Sequence, residues 1–131
     1  MKTKTAIQTL FLLSVVFFIS CKKDNTNFNS YFWTSNDIED SELTLYVNDQ
    51  IKGPIPYLKD KPTCENDTLK AKALYLNLKA GKYKISAKDK QGNVKVSSTI
   101  KVKSNSLSSS AGIGGTENFL SNDCLLVGVT Y

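Results

Sequence analysis

The 131-residue chain contains no histidine, no arginine, one methionine and only three cysteines. Without histidine, the Ser-His and Cys-His nucleophile systems cannot be assembled. A zinc site is not expected either, because no histidine is present and no cysteine has a second cysteine nearby in the sequence. Nucleic-acid-binding domains cluster arginine and lysine on one element, whereas here lysines are spread along the chain. We therefore expect no enzyme activity, cofactor, metal or nucleic-acid partner.

The N-terminus has the layout of a secretory signal. Lys2 and Lys4 precede an apolar run from Leu10 to Ile19. This run of about ten residues is shorter than the ~20 apolar residues that a membrane-spanning helix requires. Ser20 supplies the small residue that signal cleavage needs. The pattern predicts a signal peptide over residues 1–20, and the alternative is an N-terminal membrane anchor.

A cysteine follows this signal directly. The segment Phe18-Ile19-Ser20-Cys21 resembles the lipobox of bacterial lipoproteins, and Cys21-Lys22-Lys23-Asp24 is similar to lipoproteins of the Bacteroides–Flavobacterium type. The resemblance implies that the Cys21 thiol receives diacylglycerol and that its amine is acylated, for example with palmitate. Each buried methylene group strengthens such an anchor, so several chains hold firmly. The implied location is the outer membrane, on its periplasmic or its surface side.

The other two cysteines, Cys64 and Cys124, form an even pair. In an oxidising compartment such a pair indicates a disulfide. It would close a loop of about 60 residues and compensate for the modest core of a small domain. Two buried thiols or a metal pair are the alternatives.

Composition divides the chain into three parts: a signal over 1–20, the lipidated cysteine with a flexible tether over 21–34, and one β domain over 35–131. Residues 22–30 are polar and rich in asparagine, which is typical of a tether. Tyr31-Phe32-Trp33 is interpreted as a first strand or core plug, with an exposed sugar-stacking platform as the alternative.

Period-two alternation predicts several strands. They cover Leu43–Val47, Ala71–Leu78, one strand marked by Tyr83, Ile85 and Ala87, one from Val94 to Val102, and Cys124–Tyr131. Turn residues at 48–50, 80–81 and 89–93 separate them, and Pro54 and Pro56 are expected to end regular pairing. Ser104–Asp123 is rich in serine and glycine and is predicted to be a long, functional or mobile loop. The fold class is therefore all-β, a small antiparallel sandwich.

The middle of the chain resembles the PEGA-type β module of bacterial surface proteins. The matching segments are Leu45–Gln50, Gly53–Pro56, Leu76–Leu78 and Ala80–Tyr83 with Ile85. Gln50 stands where glycine is usual, and an insertion carrying Cys64 separates the two halves. The resemblance implies an Ig-like or PEGA-like sandwich with a hairpin at Ala80–Tyr83. It also implies a binding or structural role without catalytic residues.

Charged and hydroxyl side chains supply the remaining candidate sites. Alternating lysines indicate a solvated sheet face, or a contact with anionic glycans or lipid headgroups. The acidic stretch Ser35–Glu42 is interpreted as a solvated turn rather than a calcium site, because the EF-hand glycine is absent. Asp67-Thr68-Leu69 resembles the O-glycosylation acceptor of the Bacteroides lineage and makes Thr68 a candidate site. Carboxylates that could in principle pair for catalysis all lie in predicted loops: Asp37, Glu39, Asp40, Glu65, Asp67, Glu117 and Asp123.

Two functions fit these features. The first is a non-enzymatic, lipid-anchored envelope lipoprotein that binds a glycan or an envelope protein, or serves a structural role. The second is a periplasmic inhibitor or immunity protein against a hydrolase or toxin, which would present the 104–123 segment as an insertion loop.

Overall fold

The structure is a computed structural model that describes residues 23–37 and 42–131. Within these ranges the chain forms nine strands and one short helix. In chain order they are β1 (Asn27–Thr34), β2 (Leu43–Val47), β3 (Gln50–Ile55), α1 (Asp67–Lys70), β4 (Leu74–Lys79), β5 (Gly81–Lys88), β6 (Val94–Lys103), β7 (Ser106–Ile113), β8 (Gly115–Ser121) and β9 (Cys124–Thr130).

The strands form two sheets packed face to face. One sheet has the order β4-β1-β9-β8 and the other the order β3-β2-β5-β6-β7. All pairs are antiparallel except β1 and β9, which run parallel. Alternate side chains from both sheets meet in one apolar core, including Phe28, Phe32, Leu45, Ile85 and Val127. The expectation of an all-β sandwich is confirmed, with one parallel pair.

The predicted tether is wrong from Asn27 onward, because these residues form β1. This strand lies between β4 and β9, and Phe28, Ser30 and Phe32 are fully buried. The asparagines at 27 and 29 hid the strand, since asparagine is depleted in strands. They lie at the more exposed positions of the alternation, so the apolar face remains intact. The domain therefore includes residues that composition assigned to the tether.

The 104–123 segment is not a loop but the strands β7 and β8. Six of the eight β7 residues between Ser106 and Ile113 are serine, alanine or glycine, and Leu107 packs against the core. Such an edge strand has no apolar alternation, and its form comes from backbone pairing with β6 along residues 106–113. At Gly114 (φ 63°) the chain passes to the other sheet. A Cβ there would lie 2.7 Å from the Lys95 carbonyl oxygen, so this corner requires glycine.

Other boundaries are close to those expected. The predicted strands at Leu43–Val47, 83–87 and 94–102 are present, the one predicted at Cys124–Tyr131 ends one residue earlier, at Thr130, and β9 is central. Pro54 does not end pairing, because it lies in edge strand β3 opposite Thr44, where a missing N–H is tolerated. The strand expected at Ala71 begins at Leu74. The expected hairpin at Ala80-Gly81 is instead a passage between sheets, since β4 and β5 belong to different ones.

Residues 56–73 connect β3 to β4 and run across the outer face of the four-stranded sheet. Leu58 packs there against Trp33, Cys124 and Leu126 in a second, smaller apolar cluster. α1 is a single turn capped by Asn66, whose side-chain oxygen accepts the Leu69 N–H at 3.1 Å. Among the described residues, no helix is long and apolar enough to cross a membrane. We call residues 56–73 the crossover.

Candidate functional site

The predicted disulfide joins the crossover to the centre of a sheet. Cys64 and Cys124 are bonded, with their Cα atoms 6.0 Å apart and a sequence separation of 60 residues. Cys124 opens β9, so the bond fastens the crossover over the strand that pairs with both β1 and β8. It is a structural link, and the sequence-based pairing is confirmed. The lipidation candidate Cys21 lies outside the described residues.

The structure does not assemble the candidate carboxylates into an enclosed site. Glu39 and Asp40 lie outside the described residues, and the other five are exposed. Glu117 on β8 pairs with Lys61 of the crossover, and Asp123 accepts a hydrogen bond from the Asn29 amide at 3.0 Å. Within residues 23–37 and 42–131, no group of three histidine, cysteine or acidic side chains is placed to hold a metal ion.

Thr68, the candidate glycosylation residue, lies on the surface. It is an exposed residue of α1, next to Asp67, whose carboxylate pairs with Lys70 at 3.1 Å. Hydrogen bonding to Asp67 raises the pKa of the Lys70 ammonium group. A modifying enzyme would therefore meet a one-turn helix on the crossover, away from the core.

The residues that precede β1 are hydrogen-bonded to the turn between β6 and β7 of the other sheet. The Asp24 carboxylate accepts the Ser104 N–H at 2.9 Å and the Ser104 hydroxyl at 3.0 Å, and Ser104 follows β6. It also accepts the Thr26 N–H at 3.0 Å and the Thr26 hydroxyl at 2.6 Å. These hydrogen bonds lower the pKa of the Asp24 carboxyl well below its ordinary value. The bond from the Thr26 hydroxyl contributes most, followed by the bond from the Ser104 N–H. We call Asp24, Thr26 and Ser104 the N-terminal clasp.

A second contact extends the clasp to the four-stranded sheet. The Ala80 N–H donates to the Thr26 carbonyl oxygen at 2.7 Å, so the chain before β1 also binds the β4–β5 connection. Tyr83 covers this connection, and its hydroxyl donates to the Lys79 carbonyl at 2.6 Å. The chain is thus fixed to both sheets from Asp24 onward.

The end of the sandwich that carries the clasp is basic. It contains the start of β1, the β4–β5 connection and the β6–β7 and β8–β9 turns. Five lysines lie there against two aspartates: Lys23, Lys79, Lys82, Lys101 and Lys103 against Asp24 and Asp123. The neighbouring β2–β3 turn adds Asp49, which pairs with Lys84 of β5 at 3.0 Å, and this pair leaves the excess of lysine unchanged. We call this region the basic end.

Two of these lysines face each other directly. Lys82 on β5 and Lys101 on β6 are cross-strand partners, and neither forms an ion pair within the described residues. Like charges in this position repel. Beside them, Thr99 and the serines of β7 line a shallow depression of about 280 Å³. The surface offers ammonium and hydroxyl donors to an anion.

At the other end of the sandwich, which carries the β5–β6 turn, positive and negative side chains lie together. Among them are Lys88, Lys90, Lys95, Asp37, Glu42 and Asp89. Lys95 pairs with Asp89 at 3.9 Å, and the Lys88 ammonium lies 4.4 Å from the centre of the Tyr46 ring. Those two lysines therefore already have partners. The positive charge of the domain is concentrated at the basic end.

A tyrosine pair lies on the outer face of the four-stranded sheet. The Tyr31 and Tyr75 rings are 5.6 Å apart, and Tyr75 is 50% exposed. The Tyr75 hydroxyl donates to the Asn29 side-chain oxygen at 2.8 Å, and Lys70 lies 5.5 Å from the Tyr31 ring centre. Exposed ring faces beside fixed polar groups suit a sugar. Of the three aromatics at 31–33, Phe32 is in the core, Trp33 is under the crossover, and only Tyr31 reaches this surface.

A depression of about 350 Å³ lies beside the disulfide. Its walls include Lys61, Pro62, Cys64, Leu126 and Phe119, and Phe119 is 49% exposed. It is open and mainly apolar, and the described polar groups around it do not converge on one point. It offers an apolar contact surface, and its described lining residues do not form a recognisable catalytic or metal-binding arrangement.

Sequence reasoning missed the clasp. Its local half could have been found, because an aspartate that accepts the N–H two residues later is a common Asx pattern. Its distant half could not, because Ser104 is 80 residues away and reaches Asp24 only when both sheets are assembled.

No protein-family model matches the chain, and no curated protein or solved structure is significantly similar to it. The lipoprotein resemblance and the PEGA resemblance therefore stay predictions.

Proposed function

We propose that this protein is a non-enzymatic lipoprotein, anchored to the outer membrane through Cys21 and serving a binding or structural role in the cell envelope. The observation that carries the proposal is the cysteine placed directly after an apolar signal core, in Phe18-Ile19-Ser20-Cys21. Two features support it. A disulfide fits an oxidising envelope compartment, and β1 begins only six residues after Cys21, close to the proposed anchor.

Processing of the precursor tests the anchor. Cells treated with globomycin, which blocks lipoprotein signal peptidase, should accumulate a precursor that keeps residues 1–20. A Cys21→Ala variant should accumulate as an uncleaved precursor without lipid, whereas Cys64→Ala, which removes a different cysteine, should be processed normally. Normal cleavage of the Cys21→Ala chain would sink the proposal.

For the binding role, the tyrosine pair is the surface that best suits a glycan. Tyr75 is half exposed, and its hydroxyl is held by Asn29, so a ring face is presented in a fixed orientation. Tyr75→Ala should abolish retention on a glycan array, while Phe119→Ala, at an equally exposed aromatic on β8, should not. Identical retention by both variants would exclude this surface as the glycan site.

The inhibitor or immunity function remains the second candidate, but its proposed insertion loop is absent, because 106–121 is paired strand. The apolar depression beside Phe119 is the described surface that could contact a protein partner. Purification of the tagged protein from the envelope separates the two functions. A stoichiometric hydrolase or toxin, lost in Phe119→Ala, would favour the inhibitor.

A further inference from the structure

We infer that the basic end is a membrane-facing surface, whose lysines contact the anionic phosphate groups of the lipid layer that holds the anchor. This inference rests on the proposed lipidation of Cys21. The surface is formed by Lys23, Lys79, Lys82, Lys101 and Lys103.

Chain length sets the orientation. Asp24 is fixed to Ser104 and, through Thr26, to Ala80. Only Lys22 and Lys23 lie between Cys21 and Asp24, and the three Cα-to-Cα steps that join these two residues span at most about 10 Å. A lipid on Cys21 would therefore hold the β6–β7 turn and the β4–β5 connection next to the headgroups. A long tether would have allowed any orientation, and the clasp removes that freedom.

Charge selects the same end. The basic end carries an excess of lysine, and Lys82 and Lys101 oppose each other without ion-pair partners in the described structure. Phosphate groups would relieve their repulsion. Lysines close to an anionic membrane each strengthen binding, and the attraction fades over a Debye length of about 10 Å at moderate salt. The anchor places these lysines within that range.

The serines of β7 add neutral donors to the same surface. Ser108 is the cross-strand partner of Lys101, and Ser110 that of Thr99, so hydroxyl groups alternate with ammonium groups across three strands. Hydroxyl and ammonium donors together match the oxygens of a phosphate diester. The serine content of the segment, unexplained by packing, thus has a role at the lipid surface.

Lysine labelling on vesicles tests the inference without changing the sequence. The lipidated full-length mature protein is bound to vesicles of phosphatidylethanolamine and phosphatidylglycerol, or of phosphatidylcholine alone, and treated with a membrane-impermeant amine acylating reagent. On the anionic vesicles we expect the five lysines of the basic end to be labelled about fivefold more slowly than on neutral ones. Lys59, Lys72 and Lys90, which are exposed elsewhere, should react equally on both, and high salt should remove the difference.

A variant pair strengthens the test. Lys82→Gln/Lys101→Gln/Lys103→Gln should reduce the protection of Lys79, whereas Lys59→Gln/Lys72→Gln/Lys90→Gln should leave it unchanged. Lipidated protein that floats with the vesicles but labels uniformly overturns the membrane-facing surface and leaves the anchor standing. The same mass spectra report the N-terminal peptide, and a mature chain without diacylglyceryl on Cys21 overturns the anchor and the orientation with it.

Discussion

The Asp24 carboxylate accepts the backbone N–H of Ser104 at 2.9 Å, across 80 residues of sequence. This contact joins the chain just behind the proposed anchor to the turn between β6 and β7. It converts what composition predicts to be a flexible tether into a fixed part of the domain.

Asp24→Ala should release the residues before β1. We expect faster hydrogen exchange at the Ser104 amide and faster proteolysis at Lys23, with little change in the melting temperature, because the clasp lies outside the apolar core. Asp123→Ala, at a second exposed aspartate of the same end, should leave the Ser104 exchange rate unchanged.

The clasp should also depend on pH in a defined direction. The pKa of the Asp24 carboxyl is lowered from its ordinary value of 3.8, so the contribution of the clasp to stability is fully present above that value and is lost as the pH falls through the lower pKa of the folded state. Protection of the Ser104 amide should therefore persist at pH 4 and above. Loss of protection between pH 7 and pH 5 would contradict the assignment.

Phe28→Ala should destabilise the domain by about 3–5 kcal/mol, because the ring is fully buried between the sheets. Urea denaturation measures the change. The matched control is Phe119→Ala, which removes a half-exposed ring and should cost less than about 1 kcal/mol. Equal losses in the two variants would mean that β1 is not part of the core.

Cys124→Ser should lower the free energy of unfolding by about 2–5 kcal/mol, since the bond closes a 60-residue loop. Without the bond, the crossover keeps its small apolar cluster, the Lys61–Glu117 ion pair and the backbone hydrogen bonds to Thr34 but loses its covalent attachment to β9, so trypsin should cut first at Lys59 and Lys61. Reductant should lower the melting temperature of the parent protein and not that of the variant. Two alkylatable thiols in protein taken from the envelope would refute the disulfide.

Gly128→Ala should destabilise the four-stranded sheet by about 1–3 kcal/mol through overpacking. A Cβ at this β9 position would lie 2.8 Å from a ring carbon of Trp33, its cross-strand partner on β1. Trp33 is the only tryptophan, so its fluorescence reports the shift. In a Trp33→Leu background, Gly128→Ala should cost less stability, because the smaller side chain leaves room for the added methyl group. If the losses of the two changes simply added in the double variant, the result would argue against this contact.

Strands whose side chains alternate over a buried face could be predicted from the local sequence alone. The core side of the five-stranded sheet is marked by Leu45, Val47, Ile85, Ala87, Val96, Ile100 and Val102. The apolar run after Cys124 likewise predicted a central strand. The disulfide followed from the cysteine count and the compartment. These properties are local or compositional, so no knowledge of long-range pairing was needed.

The elements whose form depends on distant partners appear only in the assembled fold. Asn27–Thr34 is a strand along its whole length because β4 and β9 pair with its two edges, and Ser106–Ile113 is one because β6 supplies its hydrogen bonds. The first residues of β1 and most of β7 lack the composition of a strand, since asparagine and serine carry little β preference. The clasp between Asp24 and Ser104 and the facing pair Lys82 and Lys101 likewise arise when distant segments meet. Their positions follow from register and sheet order, which backbone hydrogen bonding and core packing determine together.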